Sequence, residues 1–162
     1  MQKITPFLWF NGQAEEAMNY YCSIFKNSKV LSITPNVEGT PAQQFSVLLV
    51  KFEIEGQEFI ALNGGPEFEF NQAISLAVNC INQQEVDALW DKLSDGGEKQ
   101  VCGWLKDKYG ISWQIVPTAL SEMMSDPNPE KRQSVMNALM QMTKLDIAVL
   151  KEAYNNPQVL TH

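Results

Sequence analysis

Apolar and polar positions fall along this chain in two successive sets, each reading as one strand, one helix and three more strands. From Ile4 to Phe10 the residues are apolar and aromatic over a length too short for a typical helix, and Asn11-Gly12 closes the run. That predicts a strand followed by a helix start. Ala14, Ala17, Met18, Tyr21, Cys22 and Phe25 then recur at helical spacing, with Glu15 and Glu16 placed to suit the positive end of the helix dipole. Lys29 to Pro35 reads as a short strand, and Gly39 and Pro41 mark an exposed loop. Gln44 to Ile54 and Gln57 to Asn63 read as two strands joined across Glu55-Gly56.

After Gly64-Gly65-Pro66 the order recurs. Gln72 to Cys80 reads as a strand, and Asn82 with Glu85 three residues on predicts a capped helix whose stripe is Val86, Leu89, Trp90 and Leu93. Gly96-Gly97 stops that helix. A weak strand over Glu98 to Val101 follows, then Gly103 to Lys108 and Ile111 to Pro117 across Tyr109-Gly110. Matching element order and hairpin placement make a structural repeat the economical reading. Beyond Pro117 the pattern turns helical: a short turn over Ala119 to Met124, a helix opened by Pro129 with Val135, Met136, Leu139, Met140 and Met142 on its apolar side, and a last helix started by Asp146. The expected organisation is α+β: a first module over residues 1–66, a second over 67–118 and a helical tail over 119–162.

Strand alternation divides each sheet into two faces. Taking the bulkier set as the side under the helices places Ile4, Leu8, Phe10, Ile60, Leu62, Ile74, Leu76, Val78, Trp113 and Ile115 there. Thr5, Phe7, Trp9, Phe59, Ala61, Asn63, Ala73, Ser75, Ala77, Ser112, Gln114 and Val116 are then left on an open face. A hollow face of small and polar residues with a few aromatics suits a ligand or a second subunit; the plainer alternative is that small residues let backbone approach closely. Phe7, Trp9 and Phe59 are the candidate apolar walls, and Asn63, Ser75 and Gln114 the candidate hydrogen-bonding groups.

Charge narrows the partners. Twelve basic against nineteen acidic residues give a net charge of −7, and no basic run exceeds Lys131-Arg132, so a nucleic-acid partner is not expected. No apolar run approaches bilayer-spanning length, and Met1 to Pro6 lacks the basic and apolar regions of a signal peptide, which leads to the expectation of a cytoplasmic protein without a membrane partner. Cys22, Cys80 and Cys102 are widely spaced and read as free thiols. Reactive groups are sparse. The one histidine is His162, the last residue, and Cys102 has no internal histidine to activate it. The glutamates along the strands read as solvated edges, and Asn63-Gly64-Gly65-Pro66 opens no helix, so it reads as a tight turn and not a phosphate cradle.

Three segments carry a family resemblance: Phe7-Leu8-Trp9-Phe10-Asn11-Gly12-Gln13-Ala14-Glu15-Glu16-Ala17-Met18, Gly56-Gln57-Glu58-Phe59-Ile60-Ala61-Leu62-Asn63-Gly64-Gly65, and Cys102-Gly103-Trp104-Leu105-Lys106-Asp107-Lys108-Tyr109-Gly110-Ile111-Ser112-Trp113-Gln114. Together they resemble the PhnB-like branch of the glyoxalase/bleomycin-resistance/dioxygenase, or vicinal oxygen chelate, superfamily, over nearly the whole chain, tail included. This branch is often labelled 3-demethylubiquinone-9 3-methyltransferase-like, but no Gly-rich loop follows the first strand to seat a methyl donor and the element order is not doubly wound. The resemblance implies two β-α-β-β-β modules and a homodimer. Its metal-chelating members use His and Glu at places that fall here at about Thr5, Ala61, Ala73 and Gln114, none of them a strong ligand, so neither a metal nor another cofactor is expected. The expected function is metal-free binding of a small molecule on the hollow face. The alternatives are a metal-dependent glyoxalase- or dioxygenase-type enzyme, and a structural or regulatory dimer.

Overall fold

A computed structural model describes residues 2–157, so His162 lies outside the described residues. The chain divides into two compact units, residues 1–70 and 71–162. Each unit holds a four-stranded mixed sheet built from a β-α-β-β-β run, the arrangement that the resemblance implies.

In the first unit β1 (Phe7–Phe10) leads through α1 (Ala14–Ile24) to β2 (Ser28–Pro35), β3 (Val47–Ile54) and β4 (Gln57–Asn63), with spatial order β1-β4-β3-β2. The pair β1–β4 is parallel and the others antiparallel. The core lies between α1 and the sheet. Ala14, Ala17, Met18, Tyr21 and Ile24 of the helix are buried, and so are Val50 and Phe52 of β3. Tyr21 stacks on Phe52 at 6.4 Å, and Phe52 on Phe59 at 5.7 Å, a column of rings from helix to sheet.

The second unit repeats this with β5 (Ser75–Cys80), α2 (Gln83–Ser94), β6 (Glu98–Lys99), β7 (Trp104–Lys106) and β8 (Ser112–Pro117), in order β5-β8-β7-β6. Its helix begins as the sequence predicts: Asn82 Oδ1 accepts from the Glu85 amide at 2.9 Å, and Glu85 Oε2 accepts from the Ile81 amide at 2.8 Å. Val86, Leu89, Trp90 and Leu93 are buried, together with Leu105, Trp113 and Ile115 of the sheet.

The tail forms α3 (Thr118–Met124), α4 (Pro129–Leu139) and α5 (Ile147–Asn155), capped by Asn128 at α4 and Asp146 at α5. Met123, Val135, Leu145 and Leu150 make its own apolar cluster. The Gln83 side chain ties it to α2, donating to Leu145 O at 3.0 Å and accepting from the Ile147 amide at 2.8 Å.

Two expectations about packing are overturned. Ile4 and Ile74, expected beneath the helices, are 83% and 79% exposed, because each precedes the first residue of its strand. The start of α1 also differs, since Gln13 at the N-cap makes no side-chain bond. The Ala14 amide instead donates to Asn63 Oδ1 at 3.0 Å, a cap supplied from the far end of β4.

Candidate functional site

Register partners on neighbouring strands share a face, so the pairings fix which residues look away from the helices. In the first sheet Phe7 lies beside Ile60 and Trp9 beside Leu62, while Lys51 faces Ile60 and Leu49 faces Leu62. These residues, with Glu53 and Glu58, make the face opposite α1. Phe7 is 57% exposed there. Trp9 is held: its Nε1 donates to Gly65 O at 2.9 Å, its ring meets Phe68 edge-on at 4.9 Å, and a Cβ on Gly64 would lie 2.3 Å from the indole. Glycine at 64 is what lets this ring lie against the chain.

Phe59 and Asn63 are not on that face, which corrects the reading of β4. Phe59, Ala61 and Asn63 alternate onto the α1 side and are buried. Asn63, 2% exposed, spends its amide on structure: besides capping α1 it donates through Nδ2 to Val47 O at 2.9 Å. Choosing the face by bulk failed here because Ile60 and Leu62 are bulkier than Ala61, yet Phe59 and the polar Asn63 are the residues with partners beneath the helix.

In the second sheet the expected faces hold for β5 and β8. Ser75 lies beside Ser112, Ala77 beside Gln114 and Asn79 beside Val116, all opposite the buried Trp113 and Ile115. Gln114 Nε2 donates to Ser75 Oγ at 2.9 Å, so two candidate residues meet. The antiparallel partner β7 adds Trp104 beside Gln114 and Lys106 beside Ser112, and β6 places Glu98 beside Lys106. Lys106 Nζ lies 3.5 Å from Glu98. Residue pattern did not single out Ser112, Trp104 or Lys106 as site residues; the register of β7 against β8 brings the last two onto this face, and β7 is only three residues long.

The nearby carboxylate of Asp107 is occupied with structure. Buried to 2% exposure, it accepts from the amides of Tyr109 at 2.9 Å and Ile111 at 3.0 Å through Oδ1, and from Trp113 Nε1 at 2.9 Å through Oδ2. It closes the β7–β8 hairpin. Cys80 is also inert: burial, reinforced by the Glu85 carboxylate, pushes its thiol up to about 12. All three cysteines are free.

The four places that the resemblance gives to metal ligands do not form a donor set. Thr5 and Ala73 lie outside the strands and Ala61 faces α1, which leaves one neutral amide, Gln114. Among the described residues no three His, Cys, Asp or Glu side chains gather in a group that could hold a metal ion. The residues present do not fit a chelated metal.

The sequence model of the 3-demethylubiquinone-9 3-methyltransferase family matches residues 2–116, and the chain belongs to that family. The match ends before the tail, which the resemblance includes. The PhnB protein from Bacillus cereus, which carries the same methyltransferase description, is 39% identical, with 72% of this chain and 99% of that one covered and a TM-score of 0.66. Protein PA1353 from Pseudomonas aeruginosa shares the fold at 20% identity, with 72% and 98% covered and a TM-score of 0.61. No curated protein matches. The methyltransferase description of the family has no counterpart in this fold: among the described residues there is no doubly wound parallel sheet and no Gly-rich loop between β1 and α1. No helix among them is long and apolar enough to cross a membrane.

Proposed function

We propose that the chain binds a small molecule, without a chelated metal or other cofactor, on the open face of its second sheet. The observation that carries this reading is the Ser75–Gln114 hydrogen bond on the face opposite the buried Trp113 and Ile115. Two polar side chains there hold each other in a fixed geometry among small neighbours, the usual makeup of an anchoring point in a binding pocket. Phe7 and Trp9 are apolar wall candidates on the first sheet's own open face. A homodimer is part of the proposal, supported by exposed apolar side chains such as Phe7 and Phe68. So is a cytoplasmic location, which suits three free thiols.

Native mass spectrometry of the protein purified from its own host tests this. The expected spectrum is a dimer carrying a defined organic adduct, with the adduct lost from Ser75→Ala and Gln114→Ala. An adduct retained in both variants removes this face as the binding site, and a stoichiometric metal stripped by chelator overturns the metal-free reading.

A further inference from the structure

Among the described residues, one buried hydroxyl on the second sheet's open face has no hydrogen-bond partner. Ser112 is 1% exposed and its Oγ makes no hydrogen bond. Such a group is costly when left unsatisfied, and native proteins keep few of them. The other buried side-chain oxygen in this position, Glu58 Oε2, is answered by Lys51 Nζ at 3.2 Å; Ser112 has nothing comparable among the described residues.

Its neighbours say what would satisfy it. Ser75, Ser112, Lys106 and Glu98 are successive register partners across β5, β8, β7 and β6, so their side chains form one row on one face. Adjacent strands lie about 4.8 Å apart. Gln114 Nε2 uses a lone pair of Ser75 Oγ and leaves the Ser75 proton to be donated. The row therefore presents two hydroxyl donors and one ammonium side by side. In the next row stand Ala77, Gln114 and Trp104, a small gap beside an aromatic ring. Lys106 is paired with Glu98 at 3.5 Å, and the Glu98 side chain is 57% exposed, so it can turn to solvent when another carboxylate arrives.

We propose that Ser112, Ser75 and Lys106 seat the carboxylate of a small ligand whose flat apolar body lies along Trp104. This inference rests on the binding reading above and names the ligand class. A carboxylate suits the row because it takes both hydroxyl protons on its oxygens and is charge-matched to Lys106, and such charge-assisted bonds are the strong ones. A neutral ligand would leave Lys106 with Glu98 alone.

Benzoate and its neutral counterpart benzamide, titrated into isotopically labelled full-length protein and followed by amide and indole NMR shifts, separate the possibilities. Benzoate is expected to shift the Ser75, Ser112 and Trp104 signals and to bind at least ten-fold more tightly than benzamide. Ser112→Ala and Lys106→Met should each weaken benzoate at least five-fold and change benzamide little. Ser112→Ala should leave the thermal midpoint equal or raised, since it removes an unpaired hydroxyl, so lost binding is not lost folding. Equal binding of the two probes at these residues overturns the carboxylate seat and leaves the binding reading standing. Unchanged benzoate affinity in Ser112→Ala removes Ser112 from the seat. Shifts from neither probe at millimolar concentration overturn the carboxylate seat, while loss of the binding reading is read separately from the native mass spectrum.

Discussion

The last strands of the two units, β4 and β8, are the same element put to different uses. Aligning their turn glycines, Gly56 and Gly110, pairs Phe59 with Trp113 and Ala61 with Ile115 beneath the helices, all buried. The same alignment sets Glu58, Ile60 and Leu62 against Ser112, Gln114 and Val116 on the open faces. The buried half of the strand keeps its character, because a helix must pack there at fixed density. The open half diverges from a salt-bridged, aliphatic surface in the first unit to a small, polar one in the second. A repeat under this constraint varies where packing does not fix the residue, and that is where the second unit carries its candidate chemistry.

The most severe test of this comparison removes a ring from the buried side. Phe59→Ala should cost about 3–5 kcal/mol, since it opens the Tyr21–Phe52–Phe59 column. Ile60→Ala, one residue along and half-buried on the open face, should cost only about 1–2 kcal/mol. Urea denaturation of both variants reads the difference. Equal costs would mean that β4 does not present one packed and one open side.

That prediction also marks where residue pattern was enough. Strand and helix order, the Asn82 cap and the tail helix starts follow from local signals, because capping residues and apolar spacing act within a few positions. The faces of β1, β5 and β8 followed from alternation. The face of β4 did not, since Phe59-Ile60-Ala61-Leu62 is apolar at every position and only the turn glycine sets the phase. A shift of one residue moves every side chain to the other face. Taking the bulkier Ile60 and Leu62 as the packed set makes that shift and puts Phe59 and Asn63 on the open face. The role of Asn63 was hidden for another reason: its partner Ala14 lies 49 residues away, beyond any local pattern.

Asn63 supplies the second test. Asn63→Ala should destabilise the first unit by about 2 kcal/mol, because it leaves the Ala14 amide and the Val47 carbonyl without their partners in a buried place. Hydrogen exchange should report faster opening of the first turn of α1, while α2, capped locally by Asn82, stays protected. Equal acceleration in both helices would break the contrast between a remote cap and a local one.

The smallest expected effect belongs to the second unit alone and depends on pH. Tyr154 donates its hydroxyl proton to Asp126 Oδ2 at 2.5 Å, closing α5 onto the loop before α4. The bond from Tyr154, followed by that from the Asn128 amide, holds the Asp126 carboxyl below its ordinary value of 3.8. The same bond raises the Tyr154 hydroxyl above its ordinary 10.0. A carboxyl with a lowered folded pKa contributes stability above its unfolded value, and loses it as pH falls from about 5 through the folded one. A phenol with a raised folded pKa contributes stability below its unfolded value, and loses it as pH climbs through the folded one. The clasp should therefore hold across neutral pH and release at both extremes. In urea titrations, Tyr154→Phe should lower the midpoint at pH 7 and then converge with the wild type below pH 4 and above pH 10. Lys131, 3.9 Å from Asp126 Oδ2 and 4.6 Å from the centre of the Tyr154 ring, is common to both proteins and cancels in the difference. A gap between the two that stays constant from acid to alkali would show that the hydroxyl acts through packing and not through the Asp126 bond.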